Sequence, residues 1–395
     1  VRAWPFVVLV VVAYVAPSRA LGGDDPSSVI VDSDVLGHDT MRPQVAAVTT
    51  RLSAYSQYGT GYQSKSGPLL GPGSERLTVL QPQAEVVITQ GNRLTHRIWI
   101  PIDIITAASP NSWQPAVDVM SGASRKTEAG TLQWTTTYKA DASSQVSATQ
   151  GLHLENPFRS WNAGLGVQHA FADQNTVFSA GFAGILDWFD RFYITGARNG
   201  RTERSSTMGS VGLTQVLTPT TIVNVNYGLT VQVGELGNTW NAVPLATGER
   251  GPELLPSERI RHAMVGRMAQ FLPWNGAVRL HYRLYADDWG ILAHSIEGRL
   301  MQRLTPRLYI GALYRFHTQT GPSFFTTRAP VDAPLRVADS DLAPLDSHTI
   351  GAKLVGDARV SGMAQSLHYE VGYDRYFRTN DLRMDIVTCS IGLRF

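Results

Sequence analysis

The sequence predicts an all-β chain: a transmembrane antiparallel up-and-down β-barrel of about sixteen strands, within a range of 14–18. Three observations predict it. A secretory leader opens the chain, long segments alternate apolar and polar residues, and the connections between those segments alternate between long and short.

The opening VRAWPFVVLVVVAYVAPSRA carries Arg2 as a positive n-region, Ala3–Val15 as an apolar h-region and Ala20 as a small cleavage-site residue. Residues 1–20 therefore read as a signal peptide. The run is short for a spanning helix, and no stop-transfer pattern follows. Residues 21–44 hold Asp24, Asp25, Asp32, Asp34 and Asp39 among turn formers and read as a periplasmic N-terminal segment, with 45–395 as the barrel. Of 34 basic residues the leader takes Arg2 and Arg19, which leaves as many as the 32 acidic ones. An electroneutral chain gives no basis for nucleic-acid binding. Cys389 is the single cysteine, so no internal disulfide forms, and neither it nor the ten dispersed histidines show metal-site spacing. No cofactor is expected on these grounds.

The strands are read from period-2 alternation. In AVRLHYRLYADDWG, Val278, Leu280, Tyr282 and Leu284 share one face, and Arg279, His281 and Arg283 the other. In PRLYIGALYRFHT, Leu308, Ile310, Ala312, Tyr314 and Phe316 oppose Arg307, Tyr309, Arg315 and His317. In RLTHRIWIPIDII, Leu94, Ile98, Ile100, Ile102 and Ile104 oppose Arg97 and Asp103. In QSLHYEVGYD, Leu367, Tyr369, Val371 and Tyr373 oppose His368, Glu370 and Asp374. The closing DIVTCSIGLRF alternates in the same way and ends on Phe395, like the terminal signal of bacterial outer-membrane barrels. Alternation alone fits a soluble sandwich too. Length separates the two, because these segments run toward the ~9–11 residues of a tilted spanning strand rather than the ~5–6 of a soluble one. Tyr55, Tyr58, Trp161, Trp188, Trp274, Tyr376 and Phe377 gather near strand ends, as interface girdles do.

The strands fall at 45–58, 76–89, 93–106, 131–139, 144–154, 160–171, 176–187, 205–217, 220–233, 259–271, 276–286, 291–303, 306–318, 347–356, 363–375 and 383–395. Connections after odd strands include the long segments 59–75, 107–130, 188–204, 234–258 and 319–346. Those after even strands are short, as in QGNR, ADQN, LTPT and LPWNG. Long outer loops and short periplasmic turns are the expected result, with the N-terminus in the periplasm and the mature chain in the bacterial outer membrane.

The segments DIITAASP, VDVMSGAS, GLTQVLTPTTIVNVNY, NTWNAVP, LPSERIRHAM and YRLYADDWGILAHSIEG occur in this order. Together they resemble a family of bacterial outer-membrane barrels known only as domain of unknown function 3570, over residues 45–395. The resemblance implies the fold and the location. It implies no activity.

Several motifs bear on function. Asp118–Ser124 matches the D-x-x-(S/T)-G-A-(T/S) target of flavin transferases, with Ser124 as the attachment residue. Its place in an outer loop argues for a Ser/Gly/Ala turn segment instead. His294 and Ser295 are adjacent and so point to opposite faces of a strand, which gives no local nucleophile–base pair. No H-E-x-x-H or G-x-S-x-G is present, and no enzyme is expected. Asp287–Gly290 reads as a tight outer turn with solvated acids and Trp289 at the membrane interface, and Asp287 with Asp288 are too few ligands for calcium. Arg259 and Arg261 share a face and have Asp287 or Asp288 as candidate partners across the wall.

The residues expected to line the lumen are Arg97, Asp103, Arg279, Arg283, Glu297, Arg299, Arg315, His368, Glu370 and Asp374. Arg303 and Arg307 extend the basic stretch, and Glu370 and Asp374 are expected on the opposite wall. The first expectation for function is a passive pore or transporter for small polar solutes, with a weak preference for anions. The second is a surface scaffold barrel whose loops bind partner proteins, and the third a flavin-bearing redox component. Membrane lipid, the outer-membrane barrel insertion machinery and small polar solutes are the expected partners.

Overall fold

The computed structural model describes residues 42–59, 77–107, 127–193, 197–238, 241–360, 362 and 364–395. The leader, the acidic segment up to residue 41 and the loop holding Ser124 lie outside these residues. Eighteen strands are present: β1 (Pro43–Gly59), β2 (Leu77–Gln90), β3 (Leu94–Ala107), β4 (Thr127–Lys139), β5 (Ser144–Glu155), β6 (Phe158–Phe171), β7 (Thr176–Phe192), β8 (Arg198–Thr218) and β9 (Thr221–Gly234), then β10 (Ala242–Pro244), β11 (Arg250–Pro252), β12 (Glu258–Leu272), β13 (Gly276–Asp287), β14 (Leu292–Thr305), β15 (Leu308–Gln319), β16 (Leu345–Arg359), β17 (Ser366–Arg378) and β18 (Leu382–Arg394). Sixteen of them form one closed antiparallel barrel in chain order, with β1 paired to both β2 and β18. The other two, β10 and β11, form a small hairpin in the connection between β9 and β12.

Alternation sets the two faces. Ile100, Leu280, Ile310 and Ile391 point outward and are 39, 46, 45 and 55% exposed. Many outward residues of the other strands are apolar and exposed too, among them Leu132, Leu165, Phe182, Val211, Met264 and Val371, so the barrel presents an apolar belt far larger than a soluble monomer exposes. The inner face carries the buried polar side chains, including Glu85, Asp103, Glu155, Asp187, Arg204 and Glu297. Apolar outside and polar inside is the arrangement of a membrane-spanning barrel. Buried apolar clusters are correspondingly small, such as Ala46, Ala47 and Val87, or Leu77 and Val79 against Tyr55.

The short turns are locally determined. In the β4–β5 turn Asp141 accepts the backbone N–H groups of Ser143 and Ser144 at 2.7 and 2.8 Å, and these bonds hold its carboxyl below the usual range. A lowered carboxyl contributes fully above the ordinary Asp range, and that contribution disappears as pH falls through the lowered value.

The structure corrects the reading of 188–204 as a loop. β7 runs to Phe192 and β8 starts at Arg198, so the hairpin simply extends. Its end is held by Arg204, which pairs with Asp187 at 2.7 Å and stacks on Phe158 and Phe189 at 5.9 and 5.5 Å.

The DDWG turn is also different from its sequence reading. Asp287 is fully buried rather than solvated, and binds Arg259 Nε at 2.9 Å, the Tyr285 hydroxyl at 2.8 Å and the Ile291 N–H at 2.9 Å. Arg261 instead donates to Gln232. Trp289 is 5% exposed, with Arg259 over its ring at 4.2 Å and Phe324 edge-on at 5.3 Å. It therefore does not sit at the membrane interface. The 320–344 connection folds over this hairpin and covers it, with the Ser323 N–H donating to the Trp289 carbonyl at 3.2 Å. Gly290 has φ +92°, the left-handed conformation that the tight turn needs.

Candidate functional site: the charged inner wall

The inner wall of β12 to β17 is basic. Arg261 and Arg267 come from β12, Arg279, His281 and Arg283 from β13, Arg299 from β14, Arg315 from β15 and Lys353 from β16. Odd positions of these strands point inward, so the side chains share one surface. The register brings them together: Arg267 lies opposite His281, His281 opposite Glu297, Glu297 opposite Arg315, and Arg279 opposite Arg299.

Partners neutralise part of this wall. Glu297 accepts Arg299 Nε at 2.5 Å and Arg315 Nε at 2.6 Å. Glu370 lies 3.7 Å from Lys353 and 3.9 Å from Arg51. Asp374 leans over Gly351 and its carboxylate fills the space that a Cβ there would take. His368 bonds Asp357 at 2.9 Å near the short-turn end. Arg279 also has a partner.

A second group has no carboxylate. Among the described residues Arg267 meets only the Asn224 amide oxygen at 3.2 Å, and Arg261 only Gln232. Arg283 Nε and His281 Nε2 are buried with no hydrogen-bond partner. Arg283 lies opposite Ser295, whose Oγ bonds His317 Nδ1 at 2.8 Å, and His317 Nε2 meets Gln319 Oε1 at 3.1 Å. His294 faces outward, so Ser295 pairs with a histidine of the neighbouring strand rather than with the one beside it in sequence. Arg261, Arg267 and Arg283 thus form a cationic patch on adjacent strands, around His281, in which no arginine has a carboxylate within ion-pair distance among the described residues.

Two members of the expected stretch lie elsewhere. Arg303 donates to the Thr305 and Pro306 carbonyls at 3.4 and 3.1 Å, and Arg307 lies in that same short turn. Glu370 and Asp374 are not on the opposite wall. β17 is separated from β14 only by β15 and β16, so its acids belong to the basic wall itself. In the closed order β3 stands opposite β13, with β2 and β5 on either side of that position. The opposing acids are therefore Asp103 on β3, Glu85 on β2 and Glu155 on β5. Gln81 donates to Asp103, Arg97 lies 3.7 Å from Glu85, and His153 lies 3.7 Å from Glu155. Glu85 and Glu155 are not among the residues expected to line the lumen, and Arg267 is read in sequence as part of a charge cluster at the start of its strand, although inward parity in AEVVI, HLE and VGR marks each of them.

The mouth above this wall is narrowed by two connections knitted together. Backbone bonds join Ala246 to Ala329, Ala329 to Pro244, and Leu254 to Arg336 in both directions, at 2.8–3.0 Å. Val243, Ala329 and Ala338 have no exposed surface between the two loops. Arg336 binds the Pro252 and Val331 carbonyls, and Asn241 binds Asp339 at 3.0 Å. Arg378 of β17 holds Asp341 at 2.6 Å, and Gln319 of β15 donates to the Asp341 and Ala343 carbonyls at 2.8 Å. The 320–344 loop is thereby fixed to the inside of the wall.

A closed barrel with an apolar exterior, a charge-lined interior and a loop-narrowed mouth is a transmembrane barrel of the channel-like architectural class. The chain belongs to the family described as protein of unknown function (DUF3570), whose model matches residues 32–385. No curated protein matches it in sequence. Among solved structures it is similar to OccK1 (OpdK) of Pseudomonas aeruginosa, at TM-score 0.43 and 8% identity over 88% of this chain and 98% of that one. It is similar to a BenF-like porin from Pseudomonas fluorescens Pf-5, at TM-score 0.45 and 9% identity over 91% of this chain and all of that one. A third is the CymD monoaromatic hydrocarbon channel, at TM-score 0.41, 11% identity and 89% coverage of both chains.

Proposed function

We propose that the chain is an outer-membrane pore for small polar solutes, selective for anions. The carrying observation is the patch of Arg261, Arg267 and Arg283 on the inner wall, none of which has a carboxylate within ion-pair distance among the described residues. Arginine keeps its charge at any working pH, so the patch concentrates anions along one side of the lumen. Asp103, Glu85 and Glu155 opposite it make the field transverse, which orients a solute with one charged end. Glu297 limits the field by holding Arg299 and Arg315. Planar-bilayer recordings of R267Q/R283Q beside the wild type test the patch. The double variant is expected to lower the anion-to-cation permeability ratio about threefold. An unchanged ratio, with conductance retained, would show that the patch does not set selectivity.

The long connections face the cell exterior in this reading. Ser323 is exposed, and a cysteine there in a Cys389→Ser background is expected to react with an impermeant thiol dye on intact cells. Labelling that needs a breached outer membrane would mean the opposite orientation. Asn241, in the long connection between β9 and β12, is 6% exposed and unsuited to this probe.

A further inference from the structure

Four consecutive hairpins carry the same outward-facing diagonal, at the end of the barrel on which the long connections lie. Tyr227 on β9 meets Nδ1 of His262 on β12 at 2.7 Å, Tyr282 on β13 meets His294 on β14 at 2.8 Å, and Tyr314 on β15 meets His348 on β16 at 2.9 Å. The ring pairs share one geometry, with centroids 6.1, 6.2 and 6.1 Å apart and tilts of 32, 31 and 34°. On the fourth hairpin Tyr373 of β17 donates to Asp385 of β18 at 2.6 Å, and Arg375 binds the same carboxylate.

The register makes the pattern more specific. The strand partners of the four tyrosines are Met264, Ile296, Ile350 and Val387. In each hairpin the polar acceptor lies two residues from that partner, on its long-connection side. The four partners are 50, 57, 54 and 45% exposed, so polar surface gives way to apolar surface at the same step each time. An outward Arg375–Asp385 pair belongs at the edge of the hydrocarbon layer rather than within it. This fixes the diagonals at the polar boundary independently of the histidines.

They also share one height. Strand tilt makes a hydrogen-bonded row climb across the wall. The row through Arg51 shows the direction: it passes Ser390, Glu370, Val355 and Tyr309 and reaches Arg303 at the short-turn end of β14. Followed from β12 toward β18, rows therefore rise toward the long connections. The row through His262 reaches Leu292 on β14, that through His294 reaches Asp346 on β16, and that through His348 reaches Arg383 on β18. His294, His348 and Asp385 each sit two residues back toward the short-turn end, which offsets the climb. The diagonals form a level collar around this side of the barrel.

We infer that this collar docks the phosphate groups of lipid A-type glycolipid in the outer leaflet. With the phenol donating to Nδ1, each imidazole carries its proton on Nε2 and can donate to a phosphate oxygen. Among the described residues His262, His294 and His348 have no other hydrogen-bond partner. Arg383, outward and exposed one alternation above Asp385, has no carboxylate partner among the described residues and supplies a cation at the same rim. A phosphate offers only acceptors, so the donors and the charge are complementary to it. The inference rests on the outer-membrane placement proposed above but not on conduction. Ser323 labelling tests that placement separately.

The test is native mass spectrometry of the refolded chain from micelles doped with bisphosphorylated lipid A, dephosphorylated lipid A or phosphatidylglycerol. The wild type is expected to retain bisphosphorylated lipid A over the other two. H262F/H294F/H348F, with folding checked by heat-modifiable migration, is expected to retain about tenfold less of it. In the wild type the imidazole Nε2 resonances are expected to shift on lipid A addition, a readout that needs no variant. Equal retention by the triple variant, resonances that do not move, or preference for phosphatidylglycerol would each overturn the inference.

Discussion

Replacing Ile310 with arginine is expected to cost about 2–4 kcal/mol of folding stability in a bilayer. Ile310 lies within β15, faces outward and is 45% exposed, in register with Leu354 of β16, itself outward and 39% exposed. A guanidinium there meets hydrocarbon rather than water, and because Ile310 lies two residues from the start of β15, snorkelling toward the short-turn rim puts the cost at the low end of that range. Leu280 on β13 is equivalent, at 46% exposure. Urea titrations of wild type and variant refolded into vesicles would measure the difference. Equal stability of Ile310→Arg, with Gly311→Arg the more disruptive, would mean that the two faces of β15 are exchanged.

The largest effect of a single inward change is expected at Asp287. Its carboxylate is fully buried and is shared by Arg259, Tyr285 and the Ile291 N–H. Asp287→Ala leaves Arg259 with a 10% exposed guanidinium and no carboxylate, and frees the turn on which Trp289 and Phe324 pack. Loss of one partner of a buried pair costs about 3–5 kcal/mol. The urea midpoint should fall accordingly, and protease cleavage within 320–344 should become faster because the loop rests on this turn. A variant as stable and as resistant as wild type would show that the loop is anchored elsewhere, for example through Arg378 and Gln319 alone.

Much of the barrel is legible in sequence because the signal is local. A spanning strand has water or protein on one side and lipid on the other, so its residues alternate whatever surrounds them. The segment read as 306–318 is the strand Leu308–Gln319, and that read as 144–154 is Ser144–Glu155. The inward parity of Arg279, Arg283, Glu297, Arg299 and Arg315 is equally local. Whatever depends on closure was not legible. Glu370 and Asp374 were expected across the lumen from the arginines, but distance around the ring is set by the pairing of β1 with β18, which no short segment encodes. Long-range loop packing was hidden for the same reason. Trp289 has the composition of an interface residue, and it is taken out of the interface by Arg259 over its ring and by Phe324, from a connection thirty-odd residues away. The hairpin of β10 and β11 has three residues in each strand, too few for alternation to register, and its stability comes from the bonds to Ala329 and Arg336.

The inner wall is tested most directly by the reversal potential of the wild-type chain in a planar bilayer under a potassium chloride gradient. Arg261, Arg267 and Arg283 have no carboxylate partner among the described residues, while the opposing acids Glu85 and Glu155 lie beside Arg97 and His153. In this reading the three arginines outweigh Asp103, which Gln81 alone holds, so the reversal potential is expected to carry the sign of chloride selectivity and to shrink in high salt as the field is screened. A reversal of the opposite sign, or a folded barrel that conducts no ions at any gradient, would contradict an anion-selective pore.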